Sequence, residues 1–305
     1  MSLAEALEPE CEGGELPAVL DAVVRGRPAP IGTLGVTRLL PERRRRNVGP
    51  FVFLDHMGPV TLAPGEGFDV RPHPHIGLST VTYLFHGEIV HRDSLGNEQT
   101  IRPDELNVMC AGRAITHSER SPAAARQEGA SLHGLQLWLA LPLAAEEGEP
   151  GFQHHSGAAL PRFEMDGVRG RVVLGEFSGL RSPARDPSSP LLLDLDLEAG
   201  ASFTLPEATG ECAVYVVGGE LEVERCRFPR HRLLVRKIGA SLTVTAAERT
   251  RAVVLGGPAL DAPRYIDWNF VSSSRERIER AKEDWRERKF PSIPGDDHEF
   301  IPLPR

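Results

Sequence analysis

Two short pairs of metal-capable side chains bound the stretch that most restricts how this chain folds. Arg71-Pro72-His73-Pro74-His75-Ile76-Gly77 opens it, and Ala111-Gly112-Arg113-Ala114-Ile115-Thr116-His117-Ser118-Glu119 closes it. On a strand, residues i and i+2 point to one face. His73 and His75 therefore form one same-face pair, and His117 and Glu119 another. Folding the stretch back on itself would bring three imidazoles and a carboxylate to one point. The text between the pairs supports such a fold. Val81–Phe85 reads as a strand entering a turn at His86-Gly87-Glu88, and Ile89–Asp93 as the returning strand. Ser94-Leu95-Gly96-Asn97 and Pro103-Asp104 are further turns, and Leu106–Met109 is the next strand. A meander of about four strands is what a small barrel closing on its own metal requires.

Three nitrogens and one oxygen suit iron, zinc, manganese, copper or nickel far better than magnesium or calcium. A closed tetrahedral set would be structural zinc. Around an octahedral ion the same four donors leave two open positions for substrate or dioxygen, as in the related two-His-one-carboxylate sites of Fe(II) oxygenases.

The stretch resembles the pirin family of the cupin superfamily. The residues that carry the resemblance are Gly49-Pro50-Phe51-Val52-Phe53-Leu54-Asp55-His56-Met57-Gly58-Pro59, His73-Pro74-His75-Ile76-Gly77, Thr80-Val81-Thr82-Tyr83-Leu84, His91-Arg92-Asp93-Ser94-Leu95-Gly96-Asn97, Ala111-Gly112-Arg113, His117-Ser118-Glu119 and His133-Gly134-Leu135-Gln136-Leu137-Trp138. A looser likeness runs on to Trp268-Asn269-Phe270-Val271. The resemblance implies the same metal ligands that the spacing does, His73, His75, His117 and Glu119. A cupin's first motif usually carries a ligand Glu where this chain has Ser79. The carboxylate must then come from Glu119, as in pirins.

The resemblance also implies an all-β bicupin: two antiparallel β-barrels of jelly-roll type in one chain, plus a C-terminal α-helix. The expected division is a flexible acidic N-terminus (1–22), a metal-binding cupin domain (23–145), a second cupin domain without metal ligands (146–271), and a helix with an extended tail (272–305). Among 305 residues, 30 Gly and 26 Pro fit many short strands and tight turns. The strand Val214–Val217, followed by Gly218-Gly219 and Leu221-Glu222-Val223, repeats the strand–turn–strand layout around Gly87. No His-x-His accompanies the repeat, and His231 reads as a surface residue. Ser273-Ser274-Arg275-Glu276 has capping-box spacing. Ile278, Ala281 and Trp285 then share one face of a helix over about Arg275–Arg288. Trp285 and Phe290 are expected to pin that helix to a barrel.

A net charge of −8 argues against direct nucleic-acid binding, which needs a basic face. The run Arg43–Arg46 reads as a solvated turn. No apolar run reaches the ~18 residues of a membrane span, and residues 1–20 lack the features of a signal peptide. Cys11, Cys110, Cys212 and Cys226 have no C-x-x-C spacing and suggest no disulfide framework, which fits a reducing cytoplasm. The expected state is a monomer, two barrels in one chain satisfying the contacts that other cupins make by dimerising.

For activity, the resemblance implies a metal-dependent dioxygenase that opens a flavonol such as quercetin with O2, with Fe(II) the foremost ion and Zn, Mn, Cu or Ni alternatives. Glu119 would be a ligand and a catalytic proton acceptor. Gln136, a polar residue in an apolar strand, is expected to face the cavity, and Phe51, Phe53 and Leu135 are candidates to line it. His56 reads either as a donor beside the metal or substrate, or as a turn residue held by backbone hydrogen bonds. His86 and His91 read as ordinary exposed turn residues. The alternative implied by the family is a redox-sensing regulator whose partner is a transcription factor or metabolic enzyme.

Overall fold

The side-chain alternation of the sequence is spent on two double-sheet barrels. The computed structural model describes residues 10–11, 15–32 and 34–304. In its N-terminal half, a seven-stranded sheet runs in the spatial order Gly151–His155, Leu106–Cys110, Leu78–His86, Ala130–Ala140, Phe51–Leu62, Leu34–Leu40, Arg27–Ile31. Facing it is a four-stranded sheet of Asp69–His75, Ile115–Arg120, Ile89–Asp93 and Glu98–Ile101. The C-terminal half repeats the plan. Its larger sheet holds Arg162–Met165, Val168–Leu174, Leu191–Leu197, Thr250–Gly257, Glu211–Gly218, Arg232–Arg236 and Leu20–Arg25. Its smaller sheet is built around Cys226–Pro229, Glu220–Val223, Leu242–Ala246 and Ser202–Leu205. The architecture is the expected all-β bicupin with a C-terminal helix.

The two large sheets pack face to face, and that seam explains the local sequence. Leu78–His86 is buried at every position but the last. Val81, Tyr83 and Phe85 join the core between the barrels, with Leu135, Leu137 and Leu139 of the neighbouring strand and Tyr215, Val217 and Val253 from the other barrel. The alternate residues point into the first barrel. The strand is thus buried on two faces, and its polar Ser79, Thr80 and Thr82 are covered along with its apolar residues.

Several expectations are corrected here. Phe51–Leu54 does not break at Asp55: the strand continues to Leu62, because Asp55, His56 and Met57 pair with Gln136, Leu135 and Gly134 on one side and with Arg38, Thr37 and Val36 on the other. Asp55 is fully buried and takes a bidentate ion pair from Arg38 at 2.7 Å on each oxygen, which satisfies a carboxylate that would otherwise end the strand. Residues 20–22, expected in a loose N-terminus, begin a strand paired with Arg232–Arg236 of the second barrel. Of the rest of that terminus, residues 1–9 and 12–14 lie outside the described residues. Cys110 and Cys212 are free thiols, but Cys226 is disulfide-bonded. Register places Cys11 opposite Cys226, a cross-strand neighbour that sequence separation hides. The helix spans Arg275–Arg286. Its cap is Ser274, which accepts from the Arg277 N–H at 3.2 Å, while Ser273 turns away to donate to Glu146 at 2.8 Å. Among the described residues, no helix is long and apolar enough to cross a membrane.

His56 and His231 are also relocated. His56 points away from the first barrel into the seam. Its Nδ1 lies 2.6 Å from the Tyr215 hydroxyl, and its Nε2 lies 2.7 Å from Nε2 of His133. Tyr215 reaches His231 at 3.1 Å, so His231 is half-buried rather than a surface residue. Beside them, the Tyr83 hydroxyl donates to Asp194 at 2.8 Å across the seam.

Desolvation, then repulsion by His133, His231 and Arg230, pushes the His56 pKa from 6.5 down to about 3. The unfolded chain takes up this proton near pH 6.5 and the folded chain does not until about 3. The stability that neutral His56 carries is complete above pH 6.5 and declines as pH falls through that window, by about 1.4 kcal/mol per pH unit. Thermal midpoints measured from pH 7.5 to 4 should fall more steeply for the native chain than for His56→Asn; parallel curves would show that the ring carries no such linkage.

Candidate metal centre

The four-stranded sheet presents the paired residues to the barrel interior. Strand Ile115–Arg120 pairs antiparallel with Asp69–His75, so that His117 lies opposite His73 and Ile115 opposite His75. Period-2 alternation turns His73, His75 and His117 inward together. All three are buried, and one nitrogen from each lies within 4.8 Å of the others. This donor cluster, the only one of its kind among the described residues, comprises these three histidines.

The ring orientations are set from behind. Nδ1 of His73 donates to the Arg71 carbonyl at 2.8 Å, and Nδ1 of His75 to the Asn269 carbonyl at 2.9 Å. Both rings therefore present Nε2 to the cavity. His75 Nε2 and His117 Nε2 stand 3.0 Å apart. The far side of His117 meets His91: their Nδ1 atoms are 3.5 Å apart, and His91 Nε2 lies 3.1 Å from Asp93. With His91 donating to Asp93, its Nδ1 is free to accept from His117, which fixes the tautomer that leaves His117 Nε2 unprotonated. Burial would raise the Asp93 carboxyl, but hydrogen bonds from His91 and Asn97 hold it below its usual range. His91 is thus a buried supporting residue stacked on Phe152 at 4.5 Å, not an exposed turn histidine. Its signal was His91-Arg92-Asp93, another same-face i, i+2 pair.

Electrostatics favour neutral rings. Desolvation pushes His73 down to about 4 and, with repulsion between the rings, holds His75 and His117 well below 6.5. Three neutral imidazoles with converging lone pairs repel one another unless a cation sits between them. The donor set fits a divalent transition metal.

Glu119 lines the same cavity, but the histidine cluster does not include its carboxylate. Thr82 Oγ1 lies 3.4 Å from Glu119 Oε1 and 2.9 Å from Gln136. Burial raises the Glu119 pKa to about 7, against hydrogen bonds from Thr82 and Gln136. The cavity holds about 340 Å³, within the range typical of small-molecule sites. One wall is aromatic. Phe53 and Trp138 stack at 4.1 Å, opposite each other in register, and Arg38 covers the other face of the region at 4.6 Å from the Phe53 ring. Gln136 and Phe53 line this cavity. His56 does not, and Phe51 and Leu135 belong to the core between the barrels.

The mouth is built by parts of the chain that sequence reasoning left out. Trp268 and Asn269 line it, as do Ile31 from the Arg27–Ile31 strand and Ile301 from the C-terminal tail. The hairpin Tyr265–Asp267/Phe270–Ser272 is held against the His75 strand: Val271 N–H donates to the Ile76 carbonyl at 3.2 Å. Gly77 permits this approach. It has φ of +65°, and a Cβ there would run into the Val271 carbonyl.

His75→Ala should abolish near-stoichiometric metal uptake, a loss beyond the 10–100-fold that a supporting residue costs; metal analysis of protein purified without chelator reads this directly. His91→Phe keeps the stack on Phe152 but frees the His117 ring, and should weaken metal binding about tenfold in chelator competition. Unchanged affinity would remove His91 from the site.

Comparison with known proteins agrees with this geometry. The Pirin family model matches residues 33–139, and the model for the Pirin C-terminal cupin domain matches residues 192–291. A pirin-like protein from Caulobacter vibrioides is 45% identical over 94% of this chain and 100% of its own length. The crystal structure of a quercetin 2,3-dioxygenase from Acinetobacter baumannii superposes with a TM-score of 0.86 at 32% identity, covering 93% of this chain and 95% of that one. A bacterial pirin from Escherichia coli, solved in complex with nickel(II), shares the fold at a TM-score of 0.61 and 19% identity, over 78% of this chain and 99% of that one. By its two barrels, its histidine triad and these matches along most of its length, the chain belongs to the pirin family of cupins.

Proposed function

We propose that this chain is a metal-dependent dioxygenase of pirin type that opens a flavonol such as quercetin with O2. The observation that carries the reading is the meeting of the buried triad His73, His75 and His117 with a cavity walled by the Phe53–Trp138 stack. Its similarity to the Acinetobacter quercetin 2,3-dioxygenase supports the same substrate class. Fe(II) is the foremost candidate ion, with Zn, Mn, Cu and Ni as alternatives.

His73, His75 and His117 hold the ion, and Glu119 completes the set or takes a proton. A divalent ion held there would supply Lewis acidity and so favour the enolate form of a flavonol. The chain's own residues do the rest. Glu119 rests on Thr82 and Gln136, poised to accept the hydroxyl proton of an arriving flavonol. Gln136 and Thr82 keep the carboxylate oriented as it takes that proton. The stacked Phe53 and Trp138 supply an apolar wall against which the aromatic rings pack. Trp268 and Ile301 keep bulk water from the enolate. O2 would then add across C2 and C4 of the flavonol enolate as the C2–C3 and C3–C4 bonds break; C3 would leave as carbon monoxide, both oxygen atoms would stay in the ring-opened ester, and the proton on Glu119 would return to the product carboxylate.

The test pairs metal content with aerobic flavonol turnover. With Fe(II) restored, wild type should consume both flavonol and O2. His117→Ala should lose activity with its metal. Glu119→Gln should retain most metal and lose about 10²–10⁴-fold in kcat. Metal binding without flavonol consumption would instead favour a regulator acting on a protein partner.

A further inference from the structure

The two ligand strands do not pair continuously. His117 lies opposite His73, but Glu119 lies opposite Val70, so Arg71 and Pro72 together face Ser118. This is a β-bulge that falls between His117 and Glu119 on one strand and immediately before His73 on the other. A bulge leaves ladder positions unpaired and lets a strand bend, so something else must hold its shape.

The C-terminal tail meets those positions. The Ile301 N–H donates to the Pro72 carbonyl at 2.8 Å. Ser118 alternates with His117 and Glu119, so it faces out of the barrel, and its Oγ donates to Asp296 at 2.7 Å. The same carboxylate receives Arg120 Nε at 2.9 Å and Nη2 at 2.7 Å. Arg120 also donates to Glu299 at 2.9 Å. Asp296 thus grips the residue before Glu119 and the residue after it. The tail is itself anchored, since Trp285 Nε1 donates to the Ile301 carbonyl at 3.0 Å and Ile293 is buried. Ser118 is fully buried, so losing Asp296 strands its hydroxyl at the bulge, and the strand must shift to satisfy it.

We propose that Asp296 is a positioning residue for the metal centre: through Ser118 and Arg120 it sets the bulge that aims His117 and Glu119 into the barrel. The tail is then part of the site, although it follows the last ligand by more than half the chain. This inference rests on the metal-site reading above but not on the identity of the substrate.

The experiment uses Co(II) as the probe, on the full chain. Affinity comes from chelator competition and ligand geometry from the visible d–d absorption. Asp296→Ala should weaken Co(II) binding about 10–100-fold and alter the d–d band. Asp296→Asn keeps acceptors for Ser118 and Arg120 and should fall between Asp296→Ala and wild type. Glu283→Ala, on the exposed side of the helix, should match wild type. If Asp296→Ala fails to fold, Ser118→Ala carries the test, with a several-fold loss of affinity and the same spectral change expected. A purely structural clasp would lower the thermal midpoints of metal-free and Co(II)-loaded protein equally, leaving affinity and spectrum unmoved; that result overturns the proposal. Wild type that takes up no Co(II) overturns the metal-site reading and this inference with it, a result distinct from equal binding by wild type and variant.

Discussion

Alternation across one doubly covered sheet is the constraint on which the rest of this structure depends. Phe51–Leu62, Ala130–Ala140 and Leu78–His86 lie side by side, and their register assigns every residue to one of two interiors. Asp55, Gln136 and Thr82 form one row facing the metal cavity, and Phe53, Trp138 and Thr80 form the next. The intervening row of Leu54, Leu137 and Val81 faces the second barrel, as does the row of His56, Leu135 and Tyr83 on the other side of Asp55. A slip of one residue would exchange the two sets, placing Gln136 in an apolar seam and Leu135 beside the histidines. The polar groups on both faces resist such a slip, because each has its partner only in the observed register. Gln136 meets Thr82, and His56 meets Tyr215.

The second barrel gains a role from this arrangement without holding a metal cluster of its own among the described residues. It covers the back of the sheet that walls the cavity, and it does so through polar bonds as well as apolar packing. Tyr83 and Thr82 are chain neighbours; one bonds Asp194 of the second barrel, and the other touches Gln136 and Glu119. The C-terminal segments close the opposite side. The Asn269 carbonyl orients His75, and Ile301 reaches both the cavity and the Pro72 carbonyl. A site whose candidate ligands lie within 47 residues is therefore completed by the final part of the chain, and the first barrel's ligand strands are enclosed rather than open at the surface.

What was legible in the sequence followed from periods of two residues. His73-x-His75 and His117-x-Glu119 were readable because strand geometry makes i, i+2 pairs converge, and Gln136 because a polar residue within an apolar strand must face something polar. The same rule, applied to His91-x-Asp93, could have found the support behind His117; proximity to a turn masked it. Phe53 was legible as a cavity candidate, but its neighbours in the same apolar run were not separable from it. A bulge at Trp138/Leu139 shifts the facing of residues along the strand, so simple alternation could not assign Phe51 to the seam, whereas Leu135, next to Gln136, could have been placed there by alternation alone.

The sequence by itself determined a repeated strand–turn–strand layout, a C-terminal helix, and three histidines and a glutamate presented in same-face pairs, because strand period and turn chemistry are local properties; that these elements make two barrels was what the family resemblance implied. Only the tertiary structure decided that the three histidines meet while Glu119 leans on Thr82 and Gln136, that His56 serves the seam, and that Asn269, Asp296 and Ile301 close the metal side. Those outcomes depend on register between strands and on contacts between residues remote in sequence, where the satisfaction of buried polar groups, rather than any local pattern, selects the partner.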